Sequence, residues 1–268
     1  MSFSIQSLTL AVITFAALII LIYISHSLTT KRERKRAKEG VQYLEAMTHV
    51  LTSIQRHRGA SNGYLNGDEN LKSRIPSLQS EVEKHLINTS KISPWIIGNE
   101  RYSAIKEHWG RLSNSYIRLE PGNCLEQHNT LIKNVLFLIE DCAETHHLHE
   151  LILTDNRQAA YLWKELLHAA EYVGQARALG TGVAASKQCS SVARIRLSYL
   201  ISQLDGFRIK NSNSQMDQEI GRLRDTITER IMGAKPSVNA EEYFSLSSST
   251  LDKIIVEFNN GLNQLKVS

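Results

Sequence analysis

The stretch "LEAMTHVLTSIQRHRGAS", residues 44–61, has apolar side chains spaced by three and four residues. This spacing places them on one face of an amphipathic helix. The next position on the same face is Arg58. A guanidinium carries a charge and five N–H donors, so it needs compensation where a leucine would be expected. The stretch therefore predicts a helix that buries an arginine. The apolar positions are Leu44, Met47, Leu51 and Ile54.

The composition favours an all-α protein. The chain has 268 residues, only four prolines, and 7% aromatic residues. Helix-forming residue types are plentiful. The three cysteines, Cys124, Cys142 and Cys189, form no CxxC pair, which argues against a disulfide framework or a zinc site and favours a reducing compartment.

The first 30 residues contain no Lys, Arg, Asp or Glu and predict an uncleaved membrane anchor with a span at about residues 3–24. A cleavable signal peptide would require a basic start and a small-residue cleavage site, and neither is evident. The basic linker 31–41 follows, opening with "KRERKRAK". The positive-inside rule then places the helical domain, 42–266, in the cytoplasm.

The charge distribution argues against nucleic-acid binding. Residues 31–38 hold six basic and one acidic side chain, whereas the whole chain has a net charge of +4. The remaining residues are therefore close to neutral and have no global basic character that would attract DNA or RNA. A signal for membrane topology is the simpler interpretation of the basic cluster, which is also suited to contact anionic lipid head groups.

Apolar periodicity and turn signals predict eight helices after the anchor and leave open whether the first is continuous with it. Short connections make neighbouring helices antiparallel and indicate helical bundles. The sixth helix is expected to bury Val192, Ile195, Tyr199 and Leu204, and the eighth to bury Phe244. The predicted helices run from the basic cluster to about residue 65 and over about 75–90, 98–118, 124–153, 156–185, 189–209, 215–232 and 239–265.

A second arginine repeats the first pattern in the fifth predicted helix. There an apolar stripe continues into Arg177, within "EYVGQARALGTGVAAS", residues 171–186. Small residues follow both arginines, a glycine comes five residues after each, and Gln55 and Gln175 precede them. The chain therefore contains a weak internal repeat centred on two inward-facing arginines.

Two interpretations of these arginines remain open. Each arginine could pair with a buried Glu or Asp of another helix, which is the more common arrangement for a single buried arginine. Alternatively, both could face one small planar oxyanion, which a guanidinium binds through parallel N–H groups. The matching settings of Arg58 and Arg177 favour the second interpretation.

The motifs "IQRHRGAS" and "EYVGQARALG" resemble those of the nitrate- and nitrite-sensing (NIT) domain family of bacterial signalling proteins. The family motifs read approximately Gln-Arg-Glu-Arg-Gly and Gly-Gln-Glu-Arg-Ala, and the resemblance extends over about residues 42–265. It implies two stacked up-and-down four-helix bundles after the transmembrane helix. It also implies that nitrate or nitrite binds between helices through Arg58 and Arg177.

The sequence departs from the family motifs at two positions. His57 and Ala176 stand where the family has Glu. Neighbouring helical positions point about 100° apart, so these two residues need not contact the ligand. His57 could add pH sensitivity, but an exposed, inert side chain is the better interpretation. Small and hydroxyl residues that are candidates to line the pocket are Gly59, Ser61, Gly180, Ser249 and Thr250.

The sequence shows no signature of an enzyme or of a cofactor. P-loop, GxSxG and HExxH motifs are absent, so neither catalysis nor a cofactor is expected. His146 and Glu150 would share a helical face at i, i+4, but solvated or core-edge histidines are a better interpretation than a metal site.

These observations predict a membrane-anchored, non-enzymatic sensor of nitrate or nitrite. Because the last predicted helix ends near the last residue, the signal is expected to pass to a separate output protein or through a homodimer. Two alternatives remain. The ligand could be another small anion, such as a carboxylate, or the chain could be a membrane-tethered scaffold whose arginines are purely structural.

Overall fold

The protein is all-helical in a computed structural model that describes residues 5–210, 215–233 and 235–267. No strand occurs among these residues, which contain one isolated bridge between Ile152 and Gln158. The helices of the described part are α1 (Ile5–Leu65), α2 (Ile75–Ser90), α3 (Pro94–Ile97), α4 (Glu100–Ser115), α5 (Pro121–Thr145), α6 (Leu167–Ser186), α7 (Ser191–Lys210), α8 (Gln215–Thr226) and α9 (Ala240–Val267). Short 3₁₀ segments are Glu69–Arg74, Tyr116–Arg118 and Leu148–Glu150, and π-helical turns are Leu162–Leu166 and Ile227–Ile231.

Local sequence signals account for several helix ends. Asn99 caps α4 by accepting from the backbone N–H of Tyr102, and Asn239 accepts from Glu242 at the start of α9. Pro121 occupies the first turn of α5, where its missing N–H would have no intrahelical acceptor. These caps fix where the neighbouring chain segments turn.

The helix contacts fit two four-helix groups joined by α1. In the first group, the C-terminal half of α1 packs on α2 and α5, and α4 packs on α5. In the second, α6 packs on α7 and α9, and α8 packs on α7 and α9. Contacts of α1 with α6 and α9 connect the groups, and both predicted arginines lie on helices of this junction.

The part of α1 from Leu10 to Leu28 lies outside the packed core. Apolar side chains from Leu10 to Leu28 are exposed, including Phe15, Leu18 and Ile22. By length and composition, α1 is the one helix among the described residues that is long and apolar enough to cross a membrane. It runs without interruption from this apolar part through the basic residues into the domain.

The predicted core of the first helix is confirmed. Leu44, Met47, Leu51 and Ile54 are buried in the shared core, and Arg58 is 1% exposed on the same face. The stripe in residues 215–232 is also buried. The 3.6-residue period therefore identified these faces correctly.

Several predicted details are wrong. The fourth helix was predicted to extend over 124–153, but α5 ends at Thr145. The left-handed φ of 56° at His147 prevents the helix from continuing. The fifth begins later than residue 156, because a turn with Asn156 at φ 65° precedes the π-helical turn Leu162–Leu166. Four side chains were predicted to be buried but are exposed in the structure: Val192, Ile195, Tyr199 and Phe244.

Candidate functional site

Arg58 is held by an acidic side chain of another helix. Its Nη1 donates to Oε1 of Glu171 at 2.5 Å, and its Nη2 donates to Oε2 at 3.1 Å. Nη1 also donates to Oδ1 of Asn129 on α5 at 2.8 Å. Both charged side chains are buried, so this is a desolvated bidentate ion pair. In this structure Arg58 therefore has the partner expected of a structural arginine.

The Glu171 carboxylate collects donors from both arginine motifs. Gln55 Nε2 donates to Oε2 at 2.8 Å, and Gln175 Nε2 donates to Oε1 at 2.9 Å. With the two bonds from Arg58, each carboxylate oxygen accepts from one guanidinium nitrogen and one amide. Sequence reasoning quoted Glu171 within the second motif but assigned it no role. The sequence feature that pointed to this role was the glutamine that precedes each arginine, since both glutamines donate to Glu171.

Gly174 explains how Arg58 reaches Glu171. A Cβ at this position would lie 2.7 Å from Arg58 Nη2 and 3.6 Å from Glu171 Oε2. The first distance is shorter than a non-bonded contact allows, so any side chain here would displace the guanidinium. The glycine of the second motif is therefore required by the ion pair of the first.

Arg177 is half-buried but lacks an acidic partner. Its Nη1 donates to the Ser248 hydroxyl at 3.0 Å, and its guanidinium lies over the Phe244 ring at 5.2 Å. No carboxylate oxygen of the described residues lies within 4.0 Å of it. Burial, together with the positive charge of Arg58, lowers the pKa of Arg177 to about 10. The charge is thus only partly compensated, unlike that of Arg58.

Arg177 borders two cavities at the helix junction. One, of about 470 Å³, lies between α1 and α9 and is also lined by Thr52, Gln55 and Asp252. The other, of about 600 Å³, includes Gly59 and Phe244. A small molecule in either cavity would have access to the Arg177 guanidinium, and the first cavity also reaches Gln55, which bonds to the Arg58 partner.

The other predicted lining residues are dispersed. Gly59 lines the second cavity, but Gly180 packs on the Tyr243 ring, where a Cβ would lie 2.4 Å from Cζ. Ser249 is exposed, and Thr250 is buried with its hydroxyl donating to the Leu246 carbonyl. Ser248, the residue before Ser249, is the hydroxyl that contacts Arg177.

Ser61 and His57 belong to a different buried cluster. His57 was expected to be exposed, but it is 0% exposed and packs edge-on against Trp109 and Tyr116. His128 Nδ1 donates to the Cys124 carbonyl at 2.7 Å, so its Nε2 accepts from His57 Nδ1 at 2.8 Å. The expectation is wrong because α4 and α5 also enclose the face of α1 that carries His57.

Burial keeps this histidine pair neutral. It lowers the pKa of His57 to about 4 and, with the neighbouring charge of His57, that of His128 to about 3. Ser61 lies 3.3 Å from His57 Nδ1 and therefore contacts this pair, not the arginines. The cluster is apolar in character and stabilises the first group of helices.

His146 and Glu150 do not form the expected i, i+4 pair. His146 is buried beside Tyr43 and Trp95, and its Nδ1 donates to the Cys142 carbonyl. Glu150 is exposed in the 3₁₀ segment beyond the left-handed His147. The end of α5 at Thr145 therefore separates the two side chains.

Comparisons with known proteins identify the family. A family model described as NIT, nitrate and nitrite sensing, matches residues 49–262, which include both arginine motifs. The match covers well over half of the chain, and the chain therefore belongs to this family. The resemblance drawn from "IQRHRGAS" and "EYVGQARALG" is confirmed at that level.

The fold also has a solved counterpart. The structure of the NasR transcription antiterminator aligns with a TM-score of 0.63 and 16% sequence identity, over 93% of this chain and 76% of that chain. At this identity the likeness establishes the shared fold alone. No curated protein matches the chain.

Proposed function

We propose that the protein is a non-enzymatic sensor that binds nitrate or nitrite at the junction of α1, α6 and α9. Arg177 is the main residue that contacts the anion, and Arg58 supplies the second positive charge. The observation that carries the proposal is the setting of Arg177: half-buried, without an acidic partner among the described residues, and bordering a cavity. Membership of the NIT family supports the choice of ligand.

The charge balance of the junction supports a monovalent ligand. Arg58 and Arg177 are two cations, and Glu171 is one anion bonded to the first of them. One positive charge is left in a partly desolvated place, where the exposed Asp252 compensates it only in part and its free-energy cost is larger than in water. A planar anion beside Arg177 would accept its parallel N–H groups and remove this cost.

The continuity of α1 supports a route for the signal. Gln55 and Arg58 lie on the same helix as the apolar N-terminal part. We propose that this part anchors the protein in a bacterial inner membrane and that the domain lies in the cytoplasm, as the basic cluster indicates. A ligand that favours closer packing of α1 against α6 and α9 would shift α1, and an output protein or a second copy would detect this shift.

Titration calorimetry of the full chain in detergent micelles tests the proposal. Nitrate and nitrite are expected to bind wild-type protein, and Arg177→Ala is expected to weaken binding at least tenfold. Arg222→Ala, on an exposed side chain of α8, is the matched control and should bind as wild type does. Absence of binding in wild type, or equal binding in the two variants, would refute the proposal.

The scaffold alternative is favoured by one observation, the bidentate pair of Arg58 with Glu171. A purely structural role for both arginines predicts that no small anion raises the melting temperature of the protein. A shift with carboxylates but not with nitrate or nitrite would instead identify a sensor of another anion.

A further inference from the structure

We infer that Glu171 determines the valence of the anion that the site accepts, by limiting its net charge to +1 and so selecting monovalent over divalent anions. The inference rests on the proposed function, since it assigns a specificity-determining residue to the same site. It is carried by the charges of the buried Arg58–Glu171 pair and of the half-buried Arg177.

Glu171 is fixed as a permanent part of this cluster. Four N–H donors from α1 and α6 occupy its two oxygens, at distances of 2.5 to 3.1 Å. An ionised carboxylate only accepts hydrogen bonds, and all four partners here are donors. Its negative charge therefore belongs to the site whether or not a ligand is present.

Two other charged groups near the cavity are paired among the described residues, and one is not. Arg56 is 60% exposed and paired with Glu81 at 2.9 Å, and Glu45 is paired with Lys266 at 2.7 Å. Asp252 lines the same cavity as Arg177 and favours its charged form, as Glu171 does. Because Asp252 is exposed, solvent and salt screen its charge, so the least solvated charges of the junction are those of Arg58, Glu171 and Arg177.

Valence selection follows from this count. A monovalent anion beside Arg177 brings the trio to neutrality. A divalent anion would leave one negative charge in a partly desolvated junction, next to the carboxylate of Glu171, and such an unpaired charge is costly. Removing the Glu171 charge would raise the site to +2 and favour a divalent anion.

The test measures dissociation constants for sodium nitrate and sodium sulfate, by calorimetry on the full chain in micelles at one ionic strength. Wild type is expected to prefer nitrate. In Glu171→Gln, which keeps the size of the side chain, the preference is expected to move at least tenfold towards sulfate. Glu171→Asp keeps the charge and should retain the preference of wild type. A nitrate-to-sulfate ratio in Glu171→Gln within about twofold of wild type would overturn the inference.

A second pair of variants keeps the idea testable if Glu171→Gln does not fold. Ser248 is 3.0 Å from Arg177, so Ser248→Glu would bring the site to zero charge. It is expected to weaken nitrate binding more than tenfold relative to Ser248→Gln, the neutral variant of similar size. Equal nitrate binding by these two variants would contradict the charge argument. In a folded double variant, Glu171→Gln with Ser248→Glu should restore the preference for nitrate.

The outcomes separate the inference from the proposed function. If wild type binds nitrate through Arg177 and Glu171→Gln leaves the preference unchanged, the function stands and the inference fails. If wild type binds neither nitrate nor nitrite but Glu171→Gln gains sulfate binding, the proposed ligand is wrong and the charge argument stands. If no anion binds to any of these proteins, both are refuted.

Discussion

Arg58 is the residue whose loss should cost the fold most among the motif residues. Its removal would leave Glu171 as a buried, unpaired carboxylate, which costs about 3–5 kcal/mol. We expect Arg58→Ala to lower the free energy of unfolding by that amount, as measured by urea titration of tryptophan fluorescence, with the buried Trp109 and Trp163 as reporters.

Arg56 provides the matched control for this substitution. It lies two residues earlier on α1, and its pair with Glu81 is exposed, so Arg56→Ala should cost about 1 kcal/mol or less. Similar losses in the two variants would mean that the Arg58–Glu171 pair does not contribute the expected stability.

The buried histidine pair predicts a loss of stability in mild acid. An unfolded histidine titrates near pH 6.5, whereas the folded pKa values of His57 and His128 are about 4 and about 3. As the pH falls from 6.5 towards 4, the unfolded chain takes up protons that the folded chain does not. The contribution of the pair is therefore present above pH 6.5 and is lost as the pH falls.

The variant His57→Gln isolates this effect. Glutamine can still donate to His128 but does not titrate, so the melting temperature should depend less steeply on pH between 6.5 and 4 than in wild type. His149→Gln, at an exposed position, should keep the wild-type slope. An unchanged slope in His57→Gln would exclude this histidine as a source of the pH dependence.

At the scale of the helix, Gly174 of α6 links the two arginine motifs. Gly174→Ala would place Cβ 2.7 Å from Arg58 Nη2 and force the guanidinium from Glu171. We expect a loss of about 1–3 kcal/mol in the free energy of unfolding, measured by the same urea titration. At Gly182 of the same helix, a Cβ meets no heavy atom within 4 Å. Gly182→Ala should therefore be neutral or stabilising by up to about 1 kcal/mol, and an equal effect of the two changes would refute the contact.

Helix positions were predicted better than helix faces. The period identified the stripe from Leu44 to Ile54 but not the neighbouring stripe of Tyr43, Val50 and His57, which is buried as well. In α7 both faces carry apolar residues, and the protein buries Ala193, Leu197, Leu200 and Leu204 while Val192, Ile195 and Tyr199 are exposed. Periodicity alone does not choose between two apolar faces.

The candidate site was predicted in part, because its long-range partners leave little local signal. Arg58 and Arg177 stood out since each interrupts an apolar stripe. The pairing of Arg58 with Glu171, 113 positions away, depends on how α1 packs on α6. Likewise, Tyr243 is buried instead of Phe244 because its ring fits against Gly180 and its hydroxyl donates to the Ala176 carbonyl.

At the scale of the whole molecule, the proposed topology predicts the accessibility of the domain in cells. Asn114 is exposed near the end of α4, and Cys124 and Cys142 are buried. A cysteine at Asn114, in a Cys189→Ser background, is expected to react with a membrane-impermeant maleimide in lysed cells but not in intact cells. Equal labelling in the two samples would place the domain outside the cytoplasm.

In the proposed topology, the length of α1 sets the distance between the membrane surface and the candidate site. From the first basic residue, Lys31, to Arg58, a rise of about 1.5 Å per residue gives a separation of about 40 Å along the helix axis. Anionic lipids deplete small anions near a membrane surface, but this potential decays over a Debye length of about 8 Å at physiological salt. In the proposed topology, the candidate site would therefore sample the anion concentration of the bulk cytoplasm, undistorted by the charge of the membrane.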